Sequence, residues 1–168
     1  MKNLIKALPW HNSKTWSKRP IKAINELVVH QTASSSNIEE VNAYHVGLMN
    51  HISSTGCPHI CYHFVIDKSG ELLQVNRISD LVWHAKGHNY HSIGILVLGN
   101  FSGPGYIGTE EVSKPQLKGL SVLLTILREK YNIEKSMVVG HCEIADHKPA
   151  RPGNNLLTYL NSWRKDND

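Results

Sequence analysis

No stretch of this sequence approaches the ~18 to 20 consecutive apolar residues that a membrane-spanning helix needs, which excludes a helical membrane span. The opening MKNLIKALPWHNSK has lysines but no continuous apolar core and no small-residue cleavage site. No secretory signal is therefore expected, and the chain should be made in the cytoplasm with its route outward supplied by something else. Cysteine is scarce: Cys57, Cys61 and Cys142 are odd in number and too few for a disulfide scaffold. Cys57 and Cys61 could either pair or remain thiols. Internal repeats and low-complexity tracts are absent. A dense basic block is missing too: the charge of +4 and pI near 9.0 come from scattered residues, which argues against a nucleic-acid partner and suits attraction to an anionic surface.

What the chain does have is 40% hydrophobic and 19% charged residues, near globular norms, over a length of 168 that suits one domain. A chain of this size buries roughly two-thirds of its unfolded surface. Histidine is the outlier at eleven copies, which raises the expectation of a metal site without locating it.

Residues 1–20 read as an irregular lead-in and 21–168 as the folded domain. Leu27, Val28 and Val29 make a short apolar run within Glu26 to Gln31 that suits a buried strand. Ser36 and Glu39 have capping-box spacing, and Val41, Tyr44 or His45, and Leu48 recur with helical period. Tyr62 to Ile66 and Glu71 to Val75 flank the turn sequence Asp67-Lys68-Ser69-Gly70 and predict an antiparallel hairpin. Ile93 to Leu98 is another strand, ended by Gly99-Asn100. Ser113, Pro115 and Gln116 start a helix on which Leu117, Leu120, Leu124, Leu127 and Tyr131 are spaced three and four apart. Met137 to Val139 adds a strand, and Leu156, Leu160 and Trp163 a C-terminal helix. The sum is an α/β fold: one domain, a central mixed β-sheet flanked by helices.

His30 and His141 each follow an apolar strand directly, and strand ends are where α/β sheets assemble ligand clefts. They either share a pocket or are two separate histidines bonded to backbone. Alternation along a strand sends Tyr62 and Phe64 to one side and His63 to the other. A strand tyrosine is ordinarily a core residue; one aimed into a metal pocket would donate to a developing oxyanion or position the attacking water. Trp83-His84-Ala85-Lys86-Gly87-His88-Asn89 has the composition of a loop that grips sugar or peptide, and equally of a surface loop. Residues Gly140 to Gly153 are dense in potential zinc donors, but Cys142 would point away from His141 on an extended segment.

In this order, these segments resemble the zinc amidase family of N-acetylmuramoyl-L-alanine amidases and peptidoglycan-recognition proteins, over Trp16 to Trp163. The carriers are Ser13 to Pro20, Leu27-Val28-Val29-His30-Gln31-Thr32-Ala33, Tyr62-His63-Phe64-Val65-Ile66, Trp83 to Asn89 with Ser92-Ile93-Gly94-Ile95, and Val139-Gly140-His141. The resemblance implies zinc held by His30 and His141, assistance by Tyr62 at a tetrahedral intermediate, and a substrate groove beside His84 and Asn89. The implied reaction cleaves the amide between N-acetylmuramic acid and the L-alanine of the stem peptide, so the expected partner is peptidoglycan or a muropeptide, met by a monomer.

One loop departs from the family pattern. The family places a cysteine or aspartate before the Pro-Gly that opens the last helix, and this chain has Arg151 there, a cation that cannot ligate zinc. Asp146, His147 or solvent are the remaining candidates for the third ligand. Lys148 stands one residue before the position of the family's frequent lysine, Pro149 here, and is the second catalytic candidate. Arg151 could instead pair with a stem-peptide carboxylate, and the chain would then be a peptidoglycan-binding module without zinc. A phage enzyme that reaches the wall on release at lysis is the expectation preferred over a cytoplasmic recycling enzyme.

Overall fold

A computed structural model describes residues 1–103, 107–145 and 152–165. The strand that carries His30 is β2 (Glu26–Gln31), where all six residues are buried. A strand covered on both faces needs neighbours on both edges. β5 (Ser92–Val97) and β6 (Val138–Gly140) supply them, both parallel to β2. β3 (Phe64–Ile66) lies parallel on the far side of β5, and β4 (Leu72–Gln74) closes the hairpin antiparallel to it. The lead-in contributes β1 (Lys2–Asn3) beside β4, giving the mixed order β1-β4-β3-β5-β2-β6. Gly70, at φ 86°, makes the hairpin turn possible, and any Cβ there would also meet the Pro115 carbonyl oxygen at 2.4 Å.

Helices cover both faces, as the hydrophobic patterning predicts. α2 (Lys114–Tyr131) is opened by a Ser113–Gln116 capping box with Pro115 in its first turn, and buries Leu120, Leu123, Leu124 and Leu127. Those leucines join Leu156, Leu160 and Trp163 of α3 (Asn154–Lys165) over Leu27, Val29, Ile93, Ile95 and Val97. Each such leucine contributes about 1.5 to 3 kcal/mol of burial. On the opposite face, Ile38 and Val41 of α1 (Ile38–Val46) pack with Ile60, Tyr62, Val65 and Leu96.

Three local expectations are corrected. The cap of α1 is Asn37 with Glu40, one residue beyond Ser36 and Glu39, because that phase buries Ile38, Val41, Asn42 and His45 together. The helix ends at Val46, so Leu48 lies outside it and is 74% exposed. Tyr62 and Phe64 fall in opposite core layers, not the same one. The strand begins only at Phe64, since the Asn76 side-chain amide donates to the carbonyls of Ile60 and Tyr62 and bends the chain there. Cys57 and Cys61 are buried free thiols.

Candidate active site

The parallel pairing of β2 with β6 matches Val29 to Gly140, so the residues that follow, His30 on β2 and His141 just past β6, arrive at the same level. Their ring centroids are 4.5 Å apart and both are buried. The two strand-end histidines therefore share one pocket. Tyr62 enters from the β3 side with its ring 5.0 Å from His30, and His45 of α1 lies 5.8 Å beyond Tyr62. Tyr62 also lines a groove of about 370 Å³ that runs along α1 past Thr32, Ser36, Glu40, Tyr44, His45 and His51.

His84 is 7% exposed and belongs to this cluster from beneath. Its ring lies over Gly94 of β5, where a Cβ would come within 2.5 to 2.8 Å of ring atoms, so only glycine leaves room for it. Both nitrogens are engaged: Nδ1 with His30 Nε2 at 3.1 Å and Nε2 with the Ser92 hydroxyl at 3.1 Å. That hydroxyl donates its one hydrogen to the His88 carbonyl at 2.6 Å, so His84 Nε2 must donate to the hydroxyl oxygen. Burial, then the charges of His63, Arg19 and His141, push the His84 pKa well below its ordinary value, so its Nδ1 carries no proton and accepts from His30 Nε2. In a neutral His30 the bare nitrogen is then Nδ1, the form in which imidazole binds a metal.

A further layer holds His84 in turn. His63 Nδ1 accepts from the Gly94 amide, and its Nε2 meets the Asp80 carbonyl at 3.1 Å. Burial and the Arg19 guanidinium, 2.9 Å away, lower His63 to about 3. Arg19 is itself buried, donates to the carbonyls of Ile78, Asn89 and Ser92, and is lowered to about 10 by burial against the opposing pull of Asp80. Asn89 accepts from the Ala85 amide at 2.7 Å and closes the turn 85–89.

The structure thus brings together His30, His141, Tyr62 and His84. Lys148 and Arg151, with Asp146 and His147, lie outside the described residues. His141 opens a 3-10 turn (His141–Glu143) instead of continuing as extended chain, and Cys142 is half-buried on it, its thiol pushed up by burial and by Glu143. Sequence reasoning missed Arg19 and His63, whose roles rest on contacts 44 to 73 and 17 to 44 residues away along the chain; only their unusual burial for such polar types distinguishes them.

Two clustered imidazoles, one with its tautomer fixed by a partner, are the donor type that zinc takes, so His30 and His141 fit as two of its ligands. Among the described residues no His, Cys, Asp or Glu completes a three-donor set with them.

Residues 19–154 match the family model described as N-acetylmuramoyl-L-alanine amidase. The endolysin of Enterobacteria phage T3 is 25% identical over 131 residues, spanning 76% of this chain and 80% of that protein. The amidase LysC from Clostridium intestinale URNW superposes with a TM-score of 0.67 at 27% identity, covering 85% of this chain and 87% of that one. The fold is also that of peptidoglycan recognition protein-LE, with a TM-score of 0.75 at 20% identity over 97% of this chain and 93% of the other. With most of its length under that one family model, and its pocket histidines inside the matched region, the chain belongs to the N-acetylmuramoyl-L-alanine amidase family.

Proposed function

We propose that this chain is a peptidoglycan amidase of the phage endolysin kind, hydrolysing the amide between N-acetylmuramic acid and L-alanine with His30 and His141 as two ligands of one zinc ion. The observation that carries the reading is the convergence of His30, His141 and Tyr62, of which Tyr62 also lines the groove, with His30 held in a metal-binding tautomer by His84. A pure binding surface has no physical need for that set. Zinc bound there would lower the pKa of a water ligand to about 7, making hydroxide available at neutral pH.

The remaining work falls to the chain. The groove along α1 takes the muropeptide, with Thr32, Ser36 and Glu40 offering polar contacts to the stem peptide. Tyr62 donates its phenolic hydrogen to the oxygen of the tetrahedral intermediate. His84 acts as a positioning residue, keeping the His30 ring from turning, and Asn89 shapes the turn behind it. Lys148 is the candidate for a second polar contact to the reacting amide. Peptidoglycan recognition protein-LE was crystallised with a monomeric diaminopimelic acid-type peptidoglycan fragment, which supports a muropeptide as the ligand class of this groove. The chain works as a monomer at the wall, reached on phage-mediated release.

A second reading rests on Arg151, which stands where the family places its third ligand. In that reading the groove binds peptidoglycan and Arg151 pairs with a stem-peptide carboxylate. Release of L-alanine peptides from purified peptidoglycan separates the two. Turnover that is lost in His30→Ala and Tyr62→Phe, with one zinc equivalent fewer in His30→Ala than in the unaltered chain, supports the amidase. Retained binding of muropeptide with no turnover would overturn it in favour of the binding module.

A further inference from the structure

We propose that Glu26, His88 and His91 form a second divalent-cation site of the zinc class, at the opposite end of β2 from His30. Glu26 and His30 lie on the same face of β2, four residues and about 13 Å apart at ~3.3 Å per residue, so the two sites are separate. Glu26 Oε2 is 2.8 Å from His88 Nδ1 and 3.5 Å from His91 Nε2, and the three donors lie within 4.8 Å of one another. Tetrahedral zinc, with bonds of about 2.0 to 2.2 Å, asks for donors roughly 3.3 Å apart. Both distances from Glu26, 2.8 and 3.5 Å, already lie within about 0.5 Å of that spacing. One carboxylate with two imidazoles is a donor set that zinc and its first-row neighbours accept.

Burial and framework support the assignment independently of those distances. The Glu26 side chain is 4% exposed, and among the described residues its ion-pair partners are the two imidazoles, with no lysine or arginine. A carboxylate so far removed from water needs a compensating positive charge, and a divalent ion satisfies all three donors at once. His88 and His91 are 28% and 34% exposed, which leaves an entry path and room for a water ligand. The backbone is fixed beforehand: the Asn25 amide donates to the His91 carbonyl at 2.9 Å, the His91 and Ser92 amides donate to the His88 carbonyl, and Arg19 grips the carbonyls of Asn89 and Ser92. An ion here ties the start of β2 to the turn that leads back to His84. The site is thus a staple for the segment supporting the first pocket.

The test counts zinc in chelator-stripped, untagged protein by calorimetry, with cobalt(II) absorption as a second probe. The His30→Ala/His141→Ala chain should bind one zinc equivalent and melt at a higher temperature with zinc than without. Adding His88→Gln and His91→Gln to it should weaken that binding at least tenfold. If the His30→Ala/His141→Ala chain is folded by circular dichroism yet binds no zinc, or binds it equally well after the glutamine substitutions, the site does not exist. Should that chain not fold, the unaltered protein against His91→Gln gives the same reading, two equivalents against one. Failure of the amidase reading looks different: the His88→Gln/His91→Gln chain would then bind no zinc while the His30→Ala/His141→Ala chain still does.

Discussion

The two ends of β2 carry the same side-chain chemistry in opposite settings. At the His30 end the imidazoles of His30, His63, His84 and His141 are buried close together, and the Ser92 hydroxyl, bonded to the His88 carbonyl, fixes the tautomer of His84 and through it that of His30. At the Glu26 end His88 and His91 reach solvent along one edge and answer to a single carboxylate. In the first setting burial pushes the pKa values of His63 and His84 down; in the second the two imidazoles are partly exposed and reachable by an ion. The difference shows why eleven histidines in one sequence do not add up to one kind of site. Sequence supplies the ligand type, and burial decides how far water and ions can reach it.

The largest effect that would break this comparison is acid. His63 is lowered to about 3 in the folded chain against about 6.5 unfolded, chiefly by burial and then by Arg19. Between those values the unfolded chain binds the extra proton, so the stability carried by neutral His63 is complete above about pH 6.5 and drains away as pH falls toward 3. The span corresponds to roughly 4 to 5 kcal/mol as an order of magnitude. Denaturant unfolding followed from pH 7 to pH 4 should show about two-thirds of this loss, and His63→Gln should flatten it; an equally steep fall in the variant would mean that other groups carry it. Next in size is Gly94→Ala. Its Cβ would meet the His84 ring at 2.5 Å, costing about 1 to 3 kcal/mol of overpacking and turning His84 away from His30. Loss of such a supporting contact typically lowers metal affinity or turnover 10- to 100-fold. Zinc titration of the variant should show that loss at the His30 site alone.

How far the sequence foretold these settings varies by element. α2 was legible because Leu117, Leu120, Leu124 and Leu127 repeat at three and four over about three turns and its start carries both a cap and a proline. The start of α1 was not, because Ser36–Glu39 and Asn37–Glu40 both satisfy the capping template and only tertiary burial of Val41 and His45 selects the second. His30 and His141 were legible as strand-end histidines, and their meeting follows from the parallel register of β2 and β6. His84 and Asn89 read as groove residues from the polar, glycine-containing loop around them. The structure turns His84 inward onto Gly94, a contact between loop and strand that no local pattern encodes. The Glu26 trio was hidden for the same reason, since its carboxylate and imidazoles come from segments 62 and 65 residues apart that only the β2–β5 pairing unites.

A middling change probes the helix beside the groove. Asn37 accepts from the Glu40 amide at 2.9 Å while the Glu40 carboxylate accepts from the Asn37 amide at 2.9 Å. Asn37→Ala should therefore cost about 1 kcal/mol, read in chemical denaturation, without altering zinc binding at either end of β2. If zinc binding at the His30 end fell as well, α1 would be coupled to the pocket more tightly than the contact of His45 with Tyr62 implies.

The smallest expected effect sharpens the comparison most. In chelated, metal-free protein His91→Ala removes a 3.5 Å contact to Glu26 from a side chain one-third exposed, and pairs of that kind contribute about 0.2 to 1 kcal/mol. The melting temperature without metal should scarcely move. With zinc present the unaltered chain should gain stability in proportion to the logarithm of zinc over its dissociation constant, and His91→Ala should lose the part of that gain belonging to the Glu26 end. A His91→Ala penalty above about 2 kcal/mol in metal-free protein would mean that the Glu26 end is a structural ion pair like the buried network around Arg19, and the contrast between the two ends of β2 would collapse.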